Sequence, residues 1–229
     1  MMSVLQLKNL SYDYIIKAGK VHALKDATAA FESGIVYAIV GRSGSGKSTL
    51  MSLMAGLDVP KDGEIFYRGE SLRSFDRDKF RREHIGMIFQ SYYLLPQLTA
   101  VENVELSLEL VKYKGNKRQR AEEMLTLVGI NMAQFKKRST QFSGGEQQRI
   151  AVARAIATDP EIILADEPTG NLDNENSMNV VNILIDLAHK YGKCVIIITH
   201  AAEVAEKADV VFKMNDGFLI KKSQTENLR

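Results

Sequence analysis

Four short apolar segments constrain the fold of this chain more than any other feature. Residues 35–40, 85–89, 162–164 and 194–199 show no strict alternation of apolar and polar residues, and helical patterns lie between several of them. Segments of this kind are typical of strands that are covered on both faces in a parallel sheet. The sequence therefore predicts an α/β fold with a mainly parallel core sheet.

Composition narrows the class of protein further. The chain has 229 residues and a formal net charge of +2, which is ordinary globular usage and argues against disorder and dedicated nucleic-acid binding. Cys194 is the single cysteine, so a disulfide within the chain is excluded. The sequence has no apolar run of the length that a membrane span needs, and residues 1–10 lack the pattern of a signal peptide. We therefore expect a compact unit in the cytosol.

A glycine-rich loop directly follows the segment 35–40. Residues 41–49 match the pattern G-x-x-x-x-G-K-[ST] in full. In such a loop, successive backbone N–H groups point at phosphate oxygens, and the next helix presents its positive N-terminal end to the same anion. Lys47 adds a full charge, the Ser48 hydroxyl suits Mg²⁺, and Thr49 can hold the neighbouring phosphate. The predicted phosphate contacts are Gly41, Ser43, Gly44, Ser45, Gly46, Lys47, Ser48 and Thr49.

Helical periodicity marks the segments around this core. After the loop, a helix is predicted to begin near Lys47 and to stop at Gly56. Its apolar face consists of Leu50, Leu53, Met54 and Leu57. Two more helical patterns, at residues 101–111 and 118–128, indicate a helical insertion that starts at Ser91.

The C-terminal part contains a turn signal. Asn215, Asp216 and Gly217 separate two β-prone segments and predict a hairpin. The polar residues 221–229 that follow are expected to fray.

Two carboxylates, Asp166 and Glu167, stand at the end of the apolar segment 162–165. Carboxylates in this position are costly to bury unless a cation or hydrogen-bond donors meet them. Asp166 would hold Mg²⁺ through its water shell, and Glu167 would polarise the water that attacks a terminal phosphate. The alternative is a strand-end turn with solvated acids.

Residues 142–149 read Phe-Ser-Gly-Gly-Glu-Gln-Gln-Arg and resemble the signature motif of ATP-binding cassette (ABC) ATPases, commonly written LSGGQ. The order of the other motifs is similar to that of the family over nearly the whole chain. Those motifs are the glycine loop, Gln90, Asp166-Glu167, Asn171-Leu172-Asp173 and Thr199-His200. Residues 165–173 and 99–104 look most like the MacB and LolD type of exporter ATPase, a subgroup that includes FtsE.

The resemblance implies a P-loop NTPase fold of the ABC type, in which an antiparallel β-subdomain and an inserted α-helical subdomain accompany the mainly parallel core sheet. It implies a single ABC ATPase domain over residues 1–229. Residues 1–90 and 151–229 would form a RecA-like core with the β-subdomain, and residues from about 91 to 150 would form the helical subdomain that carries the signature.

The resemblance also implies roles for residues outside the glycine loop. Gln90 would coordinate Mg²⁺, with a polar strand end as the alternative, and His200 would donate to the terminal phosphate, unless it is bonded locally at a helix start. Tyr14 would stack on adenine, with Tyr12 as the competitor because strand alternation places both rings on one face. Asp173 would orient the attacking water from the facing subunit, cap the next helix, or do both.

The signature segment implies that two copies act together. Ser143, Gly144 and Gly145 open a helix, so their N–H groups form a second anion-binding end. In the family, two cassettes lie head to tail, and each ATP lies between one subunit's Lys47 loop and the other's Ser143 turn. Glu146 belongs to this turn and replaces the usual Gln, so its carboxylate is expected to affect closure of the dimer.

The implied cofactors are ATP and Mg²⁺, and the implied partners are a second copy and a membrane permease with an FtsX- or MacB-like transmembrane domain. Such a subunit would work at the cytoplasmic face of the cell membrane. Residues 92–96, which follow Gln90, fit a docking groove for that partner or simple core packing.

Two alternatives to a transporter subunit stay open at this point: an FtsE-like regulator of cell-wall remodelling, and a soluble ABC ATPase that acts on nucleic acid or ribosomes. The second lacks support, because the chain has neither a zinc or coiled-coil insertion nor a second cassette.

Overall fold

A computed structural model describes residues 3–16 and 19–222 of the chain. The strands are β1 (Ser3–Ile16), β2 (Gly19–Glu32), β3 (Val36–Val40), β4 (Asp62–Tyr67), β5 (Glu70–Ser71), β6 (Ile85–Phe89), β7 (Ile162–Asp166), β8 (Cys194–Thr199), β9 (Val210–Asn215) and β10 (Phe218–Lys221). The helices are α1 (Lys47–Met54), α2 (Arg77–His84), α3 (Ala100–Leu110), α4 (Lys117–Leu127), α5 (Gly144–Ile156), α6 (Asn174–His189) and α7 (Ala202–Ala205). Each of the four apolar segments therefore contains a strand, as predicted.

The core sheet has the strand order β10-β9-β3-β8-β7-β6. Its strands run parallel from β9 to β6, and β10 pairs antiparallel with β9 through the predicted turn at Asp216 and Gly217. In the register of the sheet, Val40 lies beside Thr199, and Asp166 lies beside Phe89. The residues that follow these strand ends therefore meet at one edge of the sheet.

A second sheet is antiparallel and has the order β2-β1-β4-β5. Its apolar residues share one hydrophobic cluster with α1 and with one face of the core sheet, as Phe31, Leu50 and Ile39 illustrate. Helix α1 begins at Lys47 as predicted and ends at Met54. Leu57 lies beyond this helix and is 51% exposed, so its assignment to the apolar face was wrong. The cause is Gly56, whose positive φ of 67° turns the chain away from the helix axis.

The helices α3, α4 and α5 pack on one another and on the opposite face of the core sheet. Their shared cluster includes Val104, Leu125, Ile150 and the strand residue Ile163, all fully buried. Both predicted helical patterns of the insertion are confirmed by α3 and α4. Residue 150 lies inside α5, so one continuous helix runs across the expected end of the helical subdomain.

Within residues 3–16 and 19–222, none of the helices combines the length and the apolar character needed to cross a membrane. The expected fraying of the tail concerns residues that lie mostly outside this part of the chain, since residues 223–229 are not described.

Candidate nucleotide-binding site

A cleft of about 630 Å³ lies at the edge where the parallel strands end. Its lining comes from the glycine loop between β3 and α1, from residues at the ends of β6, β7 and β8, and from β1 and β2. Among the predicted site residues, those that line the cleft are Tyr14, Gly41, Ser43, Gly44, Gly46, Lys47, Ser48, Thr49, Gln90, Asp166, Glu167 and His200. The residues from Gly41 to His200 are up to 159 positions apart by number and meet in one place because parallel strands share their carboxyl edge, whereas Tyr14 is supplied by β1 of the antiparallel sheet.

The glycines of the loop are required by close backbone packing. A Cβ atom on Gly41 would lie 2.8 Å from the Ser45 Oγ and would collide with the backbone oxygen of Met214. Gly46 has a φ of +106°, and a Cβ there would collide with the backbone oxygen of Ala23. Ser45 does not line the cleft; it is buried, and its Oγ has no hydrogen-bond partner among the described residues.

The Lys47 ammonium is held inside the curl of the loop. Its Nζ donates to the Gly41 oxygen at 2.8 Å and to the Arg42 oxygen at 3.0 Å. An ammonium carries three donor hydrogens, so a third remains for an anion in the cleft. The lysine is therefore oriented by the loop before any phosphate is bound.

Asp166 is a half-buried carboxylate at the end of β7. Burial raises its pKa above the ordinary value, the neighbouring Glu167 raises it further, and Lys47 opposes both effects. The ionised form of Asp166 therefore costs folding free energy, which Lys47 offsets only in part.

Three side chains that line the cleft, including Asp166, offer oxygen atoms as possible metal ligands. Ser48, Gln90 and Asp166 supply a hydroxyl, an amide oxygen and a carboxylate, which are hard ligands that suit Mg²⁺. Across residues 3–16 and 19–222, no group of three or more His, Cys, Asp or Glu side chains could hold a metal alone. The residues present fit an ion that completes its shell with water and substrate phosphate.

We expect Asp166→Asn to raise the melting temperature of the nucleotide-free protein at pH 8. The amide has no charge to desolvate, and the gain should be about 2 °C because the group is only half buried and solvent screens it. Since the pKa of Asp166 is raised, its ionisation lowers stability as pH rises through that pKa, and the gap between variant and wild type should narrow as the pH falls toward 4. Thermal melts at both pH values check this, with Asp62→Asn at an exposed carboxylate as the control; a lower melting temperature at pH 8 contradicts it.

Glu167 and His200 form a hydrogen-bonded pair. The Glu167 Oε1 lies 2.9 Å from the His200 Nδ1, and the Glu167 Oε2 accepts from the His200 backbone N–H at 3.3 Å. Glu167 has a φ of 46°, a left-handed conformation that is rare outside glycine and Asn or Asp, and its own N–H donates to Ile198 at 2.9 Å. Strained backbone of this kind concentrates at functional sites.

The two tyrosines of β1 occupy different environments. Their rings lie edge to face with centroids 5.1 Å apart, so they do share one side of the strand. Tyr12 is buried, and its hydroxyl bonds to Asp58, which raises the pKa of Tyr12 to about 12. Tyr14 is 44% exposed and lines the cleft, and its hydroxyl lies 3.2 Å from the Thr49 Oγ1. Of the two rings, only Tyr14 has a face available to a base.

The signature turn is built as a capped helix start. The Ser143 N–H donates to the Glu146 Oε2 at 2.8 Å, and the Glu146 N–H donates to the Ser143 Oγ at 3.3 Å. The bond from the Ser143 N–H lowers the pKa of Glu146. Phe142 is buried in the helical cluster, which explains a large apolar residue at the position of the usual Leu. The cleft lining includes no residue of 142–146.

Asp173 also lies outside the lining of the cleft and caps α6. Its Oδ1 accepts from the Asn176 N–H at 2.8 Å, and its Oδ2 accepts from the Asn176 side chain at 2.8 Å. The first of these bonds is the main cause of its lowered pKa. The capping alternative is therefore realised in the structure.

The sequence reasoning did not single out Gln148, which is fully buried on α5. Its Nε2 donates to the Phe89 oxygen at 3.2 Å and to the Pro168 oxygen at 2.7 Å. These carbonyls precede Gln90 and follow Glu167, so Gln148 ties the signature helix to both strand ends. A glutamine on the buried side of a helix was the only available signal.

A phosphate-binding loop between β3 and α1, with paired carboxylates at the end of β7, defines a P-loop NTPase. The chain belongs to the ABC transporter family, whose family model matches residues 24–170. It is an ATP-binding subunit with ATPase activity of the type found in these transporters.

Relatives and solved structures resemble the chain over most of its length. It is 41% identical to the uncharacterized ABC transporter ATP-binding protein YclH of Bacillus subtilis, covering 97% of this chain and 98% of YclH. It is 38% identical to the lipoprotein-releasing system ATP-binding protein LolD of Idiomarina loihiensis, covering 96% and 97%. It is 42% identical to the macrolide export protein MacB of Pasteurella multocida but spans only 35% of that protein.

Among solved structures, the chain is similar to the ATP-binding cassette MJ0796, which was captured as a dimer in a post-hydrolysis state with ADP and Pi. The TM-score is 0.86 at 35% identity, and the match covers 97% of this chain and 100% of that one.

Proposed function

We propose that two copies of this chain close head to tail on ATP and that closure and hydrolysis drive a separate membrane permease of the MacB or LolD type. The observation that carries the proposal is the separation of two anion-binding ends. The Lys47 loop lines the cleft, whereas the Ser143 turn, which opens α5, lies outside it. Head-to-tail pairing gives the second end a ligand. The dimeric form of the similar cassette MJ0796, bound to ADP and Pi, supports the pairing of two copies.

In this proposal, each phosphate group meets a preorganised part of the cleft. The N–H groups of residues 41–49 and the Lys47 ammonium bind the phosphates, and Tyr14 stacks on adenine. Ser48, Gln90 and Asp166 hold Mg²⁺, which would neutralise charge on the phosphate oxygens.

Glu167 acts in this proposal as the general base toward the attacking water. The His200 N–H and imidazole fix both of its oxygens, so the carboxylate is oriented without further rearrangement. His200 also faces the terminal phosphate, and Asp173 orients the water from the facing copy. The signature residues Ser143, Gly144, Gly145 and Glu146 complete the site across the interface.

The permease would dock in an apolar groove of about 450 Å³ beside β6. Leu95, Leu106 and Leu110 line it, and Arg81 and Arg82 add positive charge. A partner segment with apolar and acidic residues fits this lining. In this proposal the subunit works at the cytoplasmic face of the membrane on a permease with an FtsX- or MacB-like transmembrane domain. Residues from about 91 to 150 would form the helical subdomain that receives the permease.

An intersubunit complementation experiment tests the head-to-tail site. Tagged Lys47→Ala and untagged Ser143→Asp copies, each also carrying Glu167→Gln to stop hydrolysis, are mixed with ATP and recovered through the tag. Aspartate at residue 143 keeps the helix cap but repels phosphate, and alanine at residue 47 removes the charge that binds phosphate. Each variant alone should therefore fail to pair. The mixture should pair, because the lysine of one copy and the serine of the other rebuild one intact site.

Copies that carry only Glu167→Gln provide the positive control and should pair whenever ATP is present. If the mixture fails to pair while this control succeeds, the two motifs do not combine across an interface, and the proposal is wrong.

A further inference from the structure

Two hydrogen bonds join Gln90, which lines the cleft, to the Asn171 side chain. The Gln90 Nε2 donates to the Asn171 Oδ1 at 3.1 Å, and the Asn171 Nδ2 donates to the Gln90 backbone oxygen at 3.3 Å. The two residues are 81 positions apart and belong to different strand ends. Asn171 does not line the cleft, so any effect on a ligand there passes through Gln90.

The pair fixes which way the Gln90 amide points. A backbone oxygen only accepts hydrogen bonds, so the Asn171 amide must present its nitrogen to the Gln90 carbonyl. The Asn171 oxygen then faces the Gln90 side chain and can only accept from its nitrogen. With Nε2 engaged in this way, Oε1 is the amide atom that Gln90 can offer to a cation.

Gly170 affects where the Gln90 amide lies, as distinct from which way it is rotated. A Cβ atom on Gly170 would lie 2.7 Å from the Gln90 Nε2 and 3.0 Å from its Cδ. The Gln90 amide therefore lies close to Gly170, and a side chain at residue 170 would displace it. Gly170 sets the position of the amide, and Asn171 sets its rotation.

We propose that Asn171 is a positioning residue that orients the Gln90 oxygen toward the cation that accompanies ATP. This inference rests on the proposed role of Gln90 as a cation ligand. Groups that orient a metal ligand are worth about 10- to 100-fold in metal affinity. Both residues are exposed, so the pair contributes little to folding and its loss should act on the ligand orientation alone.

The test is the effect of Mg²⁺ on the affinity for a non-hydrolysable ATP analogue, expressed as the ratio of the dissociation constants in EDTA and in Mg²⁺. We expect Asn171→Ala to lower this ratio about 10-fold while leaving the affinity in EDTA unchanged. Unchanged binding in EDTA also shows that the variant is folded. Asn174→Ala, at an exposed asparagine three positions on, should keep the wild-type ratio.

A double-mutant cycle separates this inference from the proposed function. Gln90→Ala alone should lower the ratio, and adding Asn171→Ala should then lower it no further, because Asn171 acts only through Gln90. If Gln90→Ala leaves the ratio unchanged, the proposed metal role of Gln90 fails. If Gln90→Ala lowers the ratio but Asn171→Ala does not, or lowers it equally in both backgrounds, the positioning role of Asn171 alone is wrong.

Discussion

Lys47→Ala should lose both nucleotide affinity and ATP hydrolysis, with turnover lower by at least about 100-fold. The loop holds the Lys47 ammonium through two carbonyl bonds, so its charge is preorganised and costs little to orient when phosphate arrives. Alanine removes that charge but not the loop, whose path depends on Gly41 and Gly46. The defect should therefore lie in binding and catalysis and leave folding intact.

Thermal melts with and without ATP measure this directly. A ligand that binds the folded state raises its stability by about 2.7 kcal/mol at 100 times the dissociation constant. The wild type should show a rise in melting temperature with ATP, and Lys47→Ala should show none at the same concentration. Lys114→Ala, at an exposed lysine between α3 and α4, should behave as the wild type. Wild-type turnover in Lys47→Ala would remove the assignment of the loop as the phosphate site.

The parts of this site that could be predicted from the sequence are those with local signals. The strand before the glycine loop, the loop itself and the carboxylates after the segment 162–165 each form a contiguous pattern. Because parallel strands share one carboxyl edge, these patterns also predict that the loop and Asp166 lie near each other.

The remaining parts depend on contacts between distant residues. Strand alternation correctly places Tyr12 and Tyr14 on one side of β1. It does not indicate that the Tyr12 hydroxyl bonds to Asp58, because Asp58 is 46 positions away from Tyr12 in the sequence. The pairing of Gln90 with Asn171 has no local signature either. Periodicity counted Leu57 in the apolar face of α1 although it lies beyond the predicted stop at Gly56, since a repeat pattern does not take account of the left-handed turn there.

Glu167→Gln should retain ATP binding while turnover falls by about 100- to 10,000-fold, the range expected for loss of a general base. Glutamine keeps the length of the side chain, and its oxygen can still accept from the His200 backbone N–H, as the Glu167 Oε2 does at 3.3 Å. Its amide nitrogen can donate to the His200 Nδ1 in one tautomer of the imidazole. The variant therefore keeps the shape of the pair and loses only the capacity to take a proton.

Because hydrolysis would normally reopen the dimer, Glu167→Gln should accumulate as a closed dimer when ATP is added. Light scattering should show twice the monomer mass with ATP and the monomer mass once ATP is removed, which distinguishes closure from aggregation. Glu206→Gln, at an exposed carboxylate beyond α7, should hydrolyse ATP normally and form no lasting dimer. A Glu167→Gln variant that has lost turnover and is still a monomer at saturating ATP would contradict head-to-tail closure, whereas wild-type turnover would mean that another group accepts the proton. Turnover is measured on the same sample, because the dimer accumulates only where hydrolysis is blocked; closure depends on the Ser143 turn, and proton transfer depends on the carboxylate that His200 orients.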